Sequence, residues 1–335
     1  MSAETSAIAG LRARGWAVDP GAVTVALVLL GAAIFLLIGC LRSATFAQYT
    51  VQGIALGSVY GALALALVLV YRATHVINFA QGELAMLTTY IAYELMLKGL
   101  SYWAAFAATL AIAFVLGTLL QVTVIRPVQH SVIAVVIVTV GLFILIDGIV
   151  NWIWGGDFKS MPSPFGIDSF NVGGVVISHL YVGMVIVVLA SVVLVWALFR
   201  FTKLGLGMRA AALRPAAAAL VGVRVDLMLA IGWGLAAVLG AVAGLMAEPF
   251  QFSLSPTFMQ PILVYAFAAA VLGGLESPAG ALVGGLAIGV TLTLIVGYVP
   301  QIGAELQTPF AFAVLLLVLL VKPTGLFGRR EVRRV

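Results

Sequence analysis

The feature that most constrains this chain is a series of long apolar segments without a charged residue. Eight of them lie near residues 22–41, 46–70, 102–125, 175–199, 227–247, 258–275, 279–299 and 306–321. A helix needs about 20 consecutive apolar residues to cross the hydrocarbon core of a bilayer. Two further segments of that length carry acids, Glu83 and Glu94 in 76–97 and Asp147 in 131–154. The sequence therefore predicts an all-α polytopic membrane protein with about ten transmembrane helices, of which 76–97 and 258–275 are the candidates for broken or re-entrant spans.

The composition excludes other classes of protein. Apolar residues make up 63% of the chain and charged residues 9%, against roughly 25% charged in an ordinary soluble domain. A soluble monomer could not cover that much apolar surface. The strands of an outer-membrane barrel alternate apolar and polar residues, unlike these continuous runs. The single cysteine, Cys40, excludes an intramolecular disulfide.

The distribution of basic residues predicts how the chain crosses the membrane. With a cytoplasmic N-terminus and ten crossings, 14 of the 17 lysines and arginines fall on the cytoplasmic side, leaving only Arg42, Lys98 and Lys159 outside. The positive-inside rule favours this arrangement, with both termini inside. Topology therefore accounts for the net charge of +5, and no nucleic-acid partner is expected.

These patterns divide the chain into four parts. We expect a cytoplasmic N-terminal segment, an additional N-terminal transmembrane helix, a main transmembrane domain with a cytoplasmic loop at 200–226, and a basic cytoplasmic tail. Their predicted bounds are 1–21, 22–41, 46–321 and 322–335.

The most polar stretch within a predicted span runs from His75 to Leu87. At 100° per residue, Asn78 and Gln81 lie about 60° apart and Glu83 about 140° from Asn78. The amides and the acid should therefore face different neighbours, unless the helix breaks near Gly82. Intramembrane polar groups are costly and need a partner or a function. Either these three side chains line a solute pathway beside a broken helix, or they hydrogen-bond to adjacent helices and hold the bundle together.

A second polar pair lies near the predicted outer end of its span. Asp147 and Asn151 are one helical turn apart on the same face. Asp147 is interpreted either as a polar group at the outer mouth of a pathway or as an interfacial acid that reaches the lipid headgroups.

Glycines recur at four-residue spacing within several predicted spans. Small residues at this spacing allow two helix backbones to approach closely. The pairs and triplets are Gly53/Gly57/Gly61, Gly240/Gly244, Gly280/Gly284 and Gly285/Gly289.

The long loop 200–226 contains five basic residues and one acid, Asp226. Pro215 begins an alanine-rich run and Gly222 follows its end, the positions that proline and glycine favour at the start and just past the end of a helix. We expect a short cytoplasmic helix at 215–221. Since an isolated helix of this length is unstable, it either docks on another chain or lies on the lipid headgroups.

Signatures of catalysis are missing from the sequence. It has no Gly-x-x-x-x-Gly-Lys-Ser/Thr phosphate loop. The histidines His75, His130 and His179 are isolated from other metal-ligand residue types, and no Ser/His/Asp pattern has credible spacing. No enzyme activity, cofactor or metal is therefore expected on this chain, and ATP-driven transport would need hydrolysis of ATP with Mg²⁺ on another chain.

Several collinear segments together resemble the permease subunit of branched-chain amino acid ABC transporters, of the LivH type. They extend from about residue 46 to the C-terminus. The segments are Gly53-Ile-Ala-Leu-Gly-Ser-Val-Tyr-Gly-Ala-Leu, Val76-Ile-Asn-Phe-Ala-Gln-Gly-Glu, Arg126-Pro-Val, Leu204-Gly through to Leu220-Val-Gly-Val, Ala269-Ala-Val-Leu-Gly-Gly-Leu-Glu-Ser-Pro-Ala-Gly-Ala and Val321-Lys-Pro-Thr-Gly-Leu-Phe-Gly-Arg.

The resemblance implies a multi-pass subunit of the bacterial inner membrane and its partners. Those partners are a second, LivM-like permease, two cytoplasmic ATPases of the LivG and LivF kind, and a periplasmic or lipid-anchored solute-binding protein, together with membrane lipids. The binding protein would deliver its solute at the external loops 155–174 and 248–257. The additional span at 22–41 departs from shorter members of the family.

The resemblance also implies which residues couple transport to ATP hydrolysis. The helix near 215–222 is similar to the ATPase-coupling helix, since Ala217 and Ala218 precede Gly222 as in an Ala-Ala-x-x-x-Gly motif. The implied coupling residues are Arg214, Pro215, Ala217, Ala218 and Gly222. Ala216 occupies the position where that motif has glutamate.

Other functions stay open at this point. The same architecture could import urea, short amides or other small solutes. A secondary transporter driven by protons through Glu83 and Glu94 belongs to another class, as does a membrane scaffold for ATPases that transports nothing.

Overall fold

A computed structural model of the chain describes residues 20–166, 168–251, 253–299, 306–322 and 325–328. Most of the predicted N-terminal segment 1–21 and of the basic tail 322–335 therefore lies outside the described residues.

Helices account for most of the described chain, which confirms the helical class. They are α1 (Pro20–Arg42), α2 (Ala44–Thr74), α3 (Gln81–Leu97), α4 (Tyr102–Val128, with a π-helical turn at Gln121–Ile125), α5 (Val132–Trp154), α6 (His179–Phe201), α7 (Lys203–Leu213), α8 (Pro215–Leu220), α9 (Val225–Gln251), α10 (Met259–Gly273), α11 (Pro278–Tyr298) and α12 (Gln307–Val321).

Each of the ten predicted apolar segments contains one of these helices. Among the described residues, six helices are long and apolar enough to cross a membrane: α2, α4, α5, α6, α9 and α11. Helices α10 and α12 are shorter, with 15 residues each. The chain is thus a multi-pass membrane protein.

The structure differs in three details from the sequence-based expectations. Residues 76–80, predicted to open a span that is a candidate for a break, are not helical, and α3 begins only at Gln81. Loop 200–226 contains the helix α7, which was not predicted. Residues 175–178, also assigned to a span, form a strand.

That strand belongs to a β-hairpin, which the all-α prediction does not include. Strand β1 (Ser169–Val172) pairs antiparallel with β2 (Val175–Ser178). Gly173 and Gly174 form the turn with φ of 61° and 89°, a left-handed pair that two-residue hairpins favour. The β-branched Val-Val-Ile run suits a strand as well as a buried helix, which is why apolarity alone misplaced it.

Helix α2 lies at the centre of the bundle and packs most closely on α11. A Cβ atom on Gly285 would collide with the backbone of Gly61, and one on Gly289 with the backbone of Gly57. The two backbones are therefore in direct contact along this seam. The prediction of close packing from glycine spacing is confirmed here.

The two ends of the bundle differ in charge. At the end where α2 and α6 finish and α9 and α11 begin, which we call the basic end, the side chains of Arg126 and Asp226 pair. The basic end holds Arg72, Arg126, Arg200, Lys203, Arg209, Arg214, Arg224 and Lys322. The opposite, distal end holds, among the described basic residues, Arg42, Lys98 and Lys159. This is the partition that the sequence predicts.

Candidate functional site

The break before α3 places the start of that helix inside the bundle. Helix α2 ends at Thr74, and His75 adopts a left-handed conformation with φ of 56°. The chain then runs without helical structure to Gln81, which contacts Ala236 of α9. Ala236 is eleven residues from the start of α9, about 16 Å along that helix. Helix α3 therefore spans only the distal part of the bundle.

The side-chain amides of Asn78 and Gln81 make the hydrogen bonds that hold this break in place. Asn78 Nδ2 donates to Gln81 Oε1 at 3.0 Å, and the N–H of Ala80 donates to Asn78 Oδ1 at 3.1 Å. Gln81 Nε2 donates to the carbonyl oxygen of Ala236 at 3.0 Å. Both side chains are about 1% exposed. Their geometry matches the interpretation of amides that join helices, and their part in a solute pathway stays a prediction.

Glu83 faces away from the amides, as the helical spacing predicts. Its side chain is 1% exposed, and neither carboxylate oxygen has a hydrogen-bond partner among the described residues. The amide of Gln260 on α10 and the carboxyl group of Asp147 on α5 belong to its surroundings. A buried acid without a partner is costly. Glu83 is therefore the strongest candidate for function among the three predicted residues.

Asp147 contributes to the same interior region. Its Oδ1 atom is buried without a hydrogen-bond partner in the described part of the chain. The side-chain amide of Asn151 donates to the backbone carbonyl of Asp147, not to the carboxylate. One oxygen of Asp147 thus points into the bundle rather than toward headgroups.

Glu94, about three turns beyond Glu83 on α3, is partnered. Trp154 Nε1 donates to Glu94 Oε2 at 3.3 Å, and Lys98 Nζ lies 3.6 Å from Oε1. This acid helps to join the distal ends of α3 and α5.

A cavity of about 530 Å³ opens between five helices toward the distal end. We call it the distal cavity. Its lining combines apolar side chains with hydroxyl and amide groups, and contains no charged residue among those that the structure describes. The polar members are Tyr49, Gln52, Tyr60, Gln251, Tyr265, Thr293, Gln307 and Thr308.

Two tyrosines pack against each other in this cavity. The rings of Tyr60 and Tyr265 lie 5.2 Å apart, and the hydroxyl groups of Tyr265 and Thr308 are 3.1 Å apart. Tyr60 is 16 residues into α2, about 24 Å along it. The cavity therefore reaches about halfway through the bundle.

Sequence reasoning missed the distal cavity. Its polar residues are distributed over α2, α9, α10, α11 and α12, so no single segment of the sequence identifies the cavity. The available signals were Gln52 and Thr293, polar residues inside otherwise apolar spans.

The short helix α8 lies at the basic end, as expected from loop 200–226. Gly222 has φ of 85° just past its end, the conformation that helix ends often require of glycine. Arg214, Pro215 and Ala217 are exposed, and Leu220 is 89% exposed. Ala218, the fifth implied coupling residue, is buried instead.

Ala218 faces inward. It is 4% exposed, its N–H donates to the carbonyl of Arg214, and its own carbonyl accepts from the N–H of Val223. It packs α8 on this chain, and a partner could contact only the exposed face around it.

The segment after α12 folds back on α10. The N–H groups of Leu326 and Phe327 donate to the carbonyls of Leu272 and Gly273, at 2.8 and 3.1 Å. These are carbonyls that the end of a helix leaves unpaired. Gly325, with φ of 74°, allows the turn.

Comparison with known proteins gives consistent matches over most of the chain. The family model described as "Branched-chain amino acid transport system / permease component" matches residues 49–319. The high-affinity branched-chain amino acid transport system permease protein LivH of Salmonella typhimurium is 31% identical over 304 residues, which cover 87% of this chain and 98% of the relative. The corresponding protein BraD of Pseudomonas aeruginosa is 31% identical over 307 residues, with the same coverage.

A more distant relative comes from an archaeon. The probable branched-chain amino acid transport permease protein LivH of Methanocaldococcus jannaschii is 27% identical over 285 residues, which cover 79% of this chain and 87% of the relative. The family match begins at residue 49, so helix α1 precedes it.

Proposed function

Since the chain belongs to the family of permease components of branched-chain amino acid transport systems, we propose that it is the membrane-spanning permease subunit of an ATP-driven importer of branched-chain amino acids. The observation that carries this proposal is the match over residues 49–319, which runs from α2 to α12 without a missing element. The names of the relatives supply the substrate class.

The distal cavity supports a role in solute passage. A branched-chain amino acid has no net charge, an apolar side chain and two charged ends. Apolar walls with hydroxyl and amide groups suit such a solute, because they satisfy its polar ends without a fixed charge that would retain it. We propose that the solute enters this cavity on its way past Tyr60 and Tyr265, and that Glu83, with Asn78 and Gln81, borders the path beyond them.

The partners follow from the same premise. ATP and Mg²⁺ would bind on two cytoplasmic ATPase subunits, which act on the exposed face of α8 at the basic end. A second permease subunit would complete the pathway, and a periplasmic or lipid-anchored binding protein would deliver the solute to the distal end.

Contacts at the distal end support the proposal that the binding protein docks on this end of the bundle. The loops 155–174 and 248–257 were predicted to receive it, and Lys159 and Leu254 join them through two backbone hydrogen bonds of 3.0 and 2.8 Å. A joined pair of loops offers a partner one surface with fixed geometry.

The full topology belongs to the same proposal. Helices α1, α2, α4 to α6 and α9 to α12, together with the segment 75–97 that contains α3, would make ten crossings of a bacterial inner membrane, with both termini in the cytoplasm. The separation of basic residues between the two ends of the bundle supports this orientation.

Reconstitution of the gently purified complex tests the function. Vesicles that enclose ATP and Mg²⁺, with binding protein and radiolabelled leucine outside, should accumulate leucine. Isoleucine and valine should compete, and urea or acetamide should not. Vesicles that enclose a non-hydrolysable ATP analogue serve as the control.

Two outcomes would contradict the proposal. Uptake driven by an imposed proton gradient in the absence of nucleotide would identify a secondary transporter. Competition by urea or acetamide, without competition by isoleucine or valine, would keep the architecture and change the cargo.

A further inference from the structure

A second cavity, of about 310 Å³, lies on another side of the bundle at its basic end. Its floor is formed by Leu65 and Leu69 of α2, and its sides by α6 and α11. Three arginines line its mouth, Arg72, Arg200 and Arg209. We call this feature the arginine groove.

The arginines have no acidic partner in the described part of the chain. The two ion pairs found there join Lys98 to Glu94 and Arg126 to Asp226. Arg209 Nε donates to the carbonyl of Gly205 at 3.3 Å, which anchors that side chain and leaves its terminal nitrogens available. Three like charges at one mouth repel each other, and a bound anion would relieve that repulsion.

The remainder of the groove is apolar and runs toward the middle of the bundle. Leu65 and Leu69 are 4% and 7% exposed, so they form a closed floor. The distance along α2 from Leu65 to Arg72 is about 10 Å. Trp196 of α6 is 56% exposed at the side of the groove, and tryptophan is enriched where a membrane meets water.

This combination matches one class of ligand. A free phosphate or a nucleotide would leave the apolar floor unused, and a neutral lipid would leave the arginines unpaired. Basic pockets between transmembrane helices on the cytoplasmic side are suited to anionic lipid headgroups.

We propose that the arginine groove binds one anionic phospholipid. Its phosphate lies between Arg72, Arg200 and Arg209, and one acyl chain follows Leu65 and Leu69 between α6 and α11. Because Arg209 belongs to α7, which leads directly into α8, the bound lipid braces the element that carries the proposed coupling helix.

Fluorescence quenching by brominated lipids tests the proposal without a transport assay. The complex is reconstituted into bilayers that contain phosphatidylglycerol or phosphatidylcholine with brominated acyl chains. The signal of Trp196 is obtained as the difference between the wild-type chain and the Trp196→Phe variant. We expect Trp196 quenching to report at least about a five-fold preference for phosphatidylglycerol, the scale that one basic residue contributes near an anionic surface.

Charge variants separate the groove from the general basic character of this end. The triple variant Arg72→Gln/Arg200→Gln/Arg209→Gln should reduce the preference to about one. Arg224→Gln removes an exposed charge of the same end that does not line the groove, and it should keep the preference.

Three results would overturn the proposal. The first is equal quenching by the two lipids in the wild-type complex. The second is a preference that survives in the triple variant. The third is an absence of quenching by either lipid, which would show that protein, such as a second permease subunit, covers the groove.

Discussion

At the scale of single residues, the acid Glu83 carries the clearest functional signal. Asn78 and Gln81 have hydrogen-bond partners that explain their burial, whereas both oxygens of Glu83 have none among the described residues. Removal of a buried acid without a partner should not destabilise a fold, since the cost of burying it disappears. Substitution of Glu83 can therefore distinguish a functional role of this side chain from a structural one.

Glu83→Gln tests that separation. The amide keeps the size of the side chain and removes the acid, so we expect uptake of leucine to fall at least several-fold while membrane level and thermal stability are unchanged. Glu83→Ala should lower uptake similarly. The matched control is Glu276→Gln, which changes an exposed acid at the basic end. Normal uptake in both Glu83 variants would contradict the assignment.

Gln81 illustrates what the sequence could and could not predict about the site. Helical spacing correctly predicts that the amides and Glu83 face different neighbours. The sequence names 76–97 as a candidate for a broken span but places the break near Gly82 and not at 75–80, because the bond from Gln81 to Ala236 depends on α9, 155 residues away. Local sequence contains no information about such a contact.

At the scale of helices, the seam between α2 and α11 leaves no space for an added methyl group. Gly289→Ala should therefore force the two backbones apart, and overpacking of this kind costs about 1–3 kcal/mol. We expect lower amounts of folded protein and a lower unfolding temperature in detergent. Gly148→Ala on α5 is the control, since a Cβ there meets nothing within 4 Å and alanine favours a helix. Equal stability of the two variants would show that the seam is looser than described.

The helix α8 offers a comparison of two neighbouring alanines. Ala217→Arg changes the exposed face, so it should leave the protein in the membrane and separate ATP hydrolysis from uptake. Ala218→Arg forces a charge into the packed face of α8 and should lower the amount of folded protein. ATPase activity, uptake and membrane level are measured for both. Coupled transport at normal levels in Ala217→Arg would argue against the coupling role of α8.

At the scale of the whole molecule, the two ends of the bundle should face opposite sides of the membrane. Cys40 is replaced by serine, and single cysteines are introduced as Lys98→Cys at the distal end and Arg224→Cys at the basic end. A membrane-impermeant maleimide should label the first in intact cells and the second only after the membrane is opened. Labelling of both in intact cells would contradict the proposed topology.

The distal cavity can be filled from one of its five helices. Val296→Trp adds a large ring to a residue that lines it, so we expect uptake to fall several-fold with normal membrane levels. Thr291→Trp places the same ring on an exposed position of α11 and should transport normally. Equal uptake in the two variants would show that the distal cavity is not part of the solute pathway.

The sequence predicts the architecture of this molecule better than its cavities. Apolar runs such as 46–70 and 227–247 locate helices because a bilayer imposes their length, and basic residues separate the two ends because charge follows the membrane potential and lipid asymmetry. The distal cavity has no such external constraint. Gln52, Thr293 and Tyr265 come together only through packing, and none of them indicates the other two from its own helix.

The hydrogen bonds between the segment after α12 and the end of α10 also set an order in time. During synthesis α10 emerges first. The carbonyls of Leu272 and Gly273 lack these hydrogen-bond donors until Leu326 and Phe327 have been synthesised, more than 50 residues later. Helices α11 and α12 must be inserted before that end of α10 can be completed. The last step in maturation is thus the formation of these two hydrogen bonds, which depends on correct placement of both later helices. A ribosome-stalled chain that stops before Gly325 should therefore expose the end of α10, which the finished chain protects.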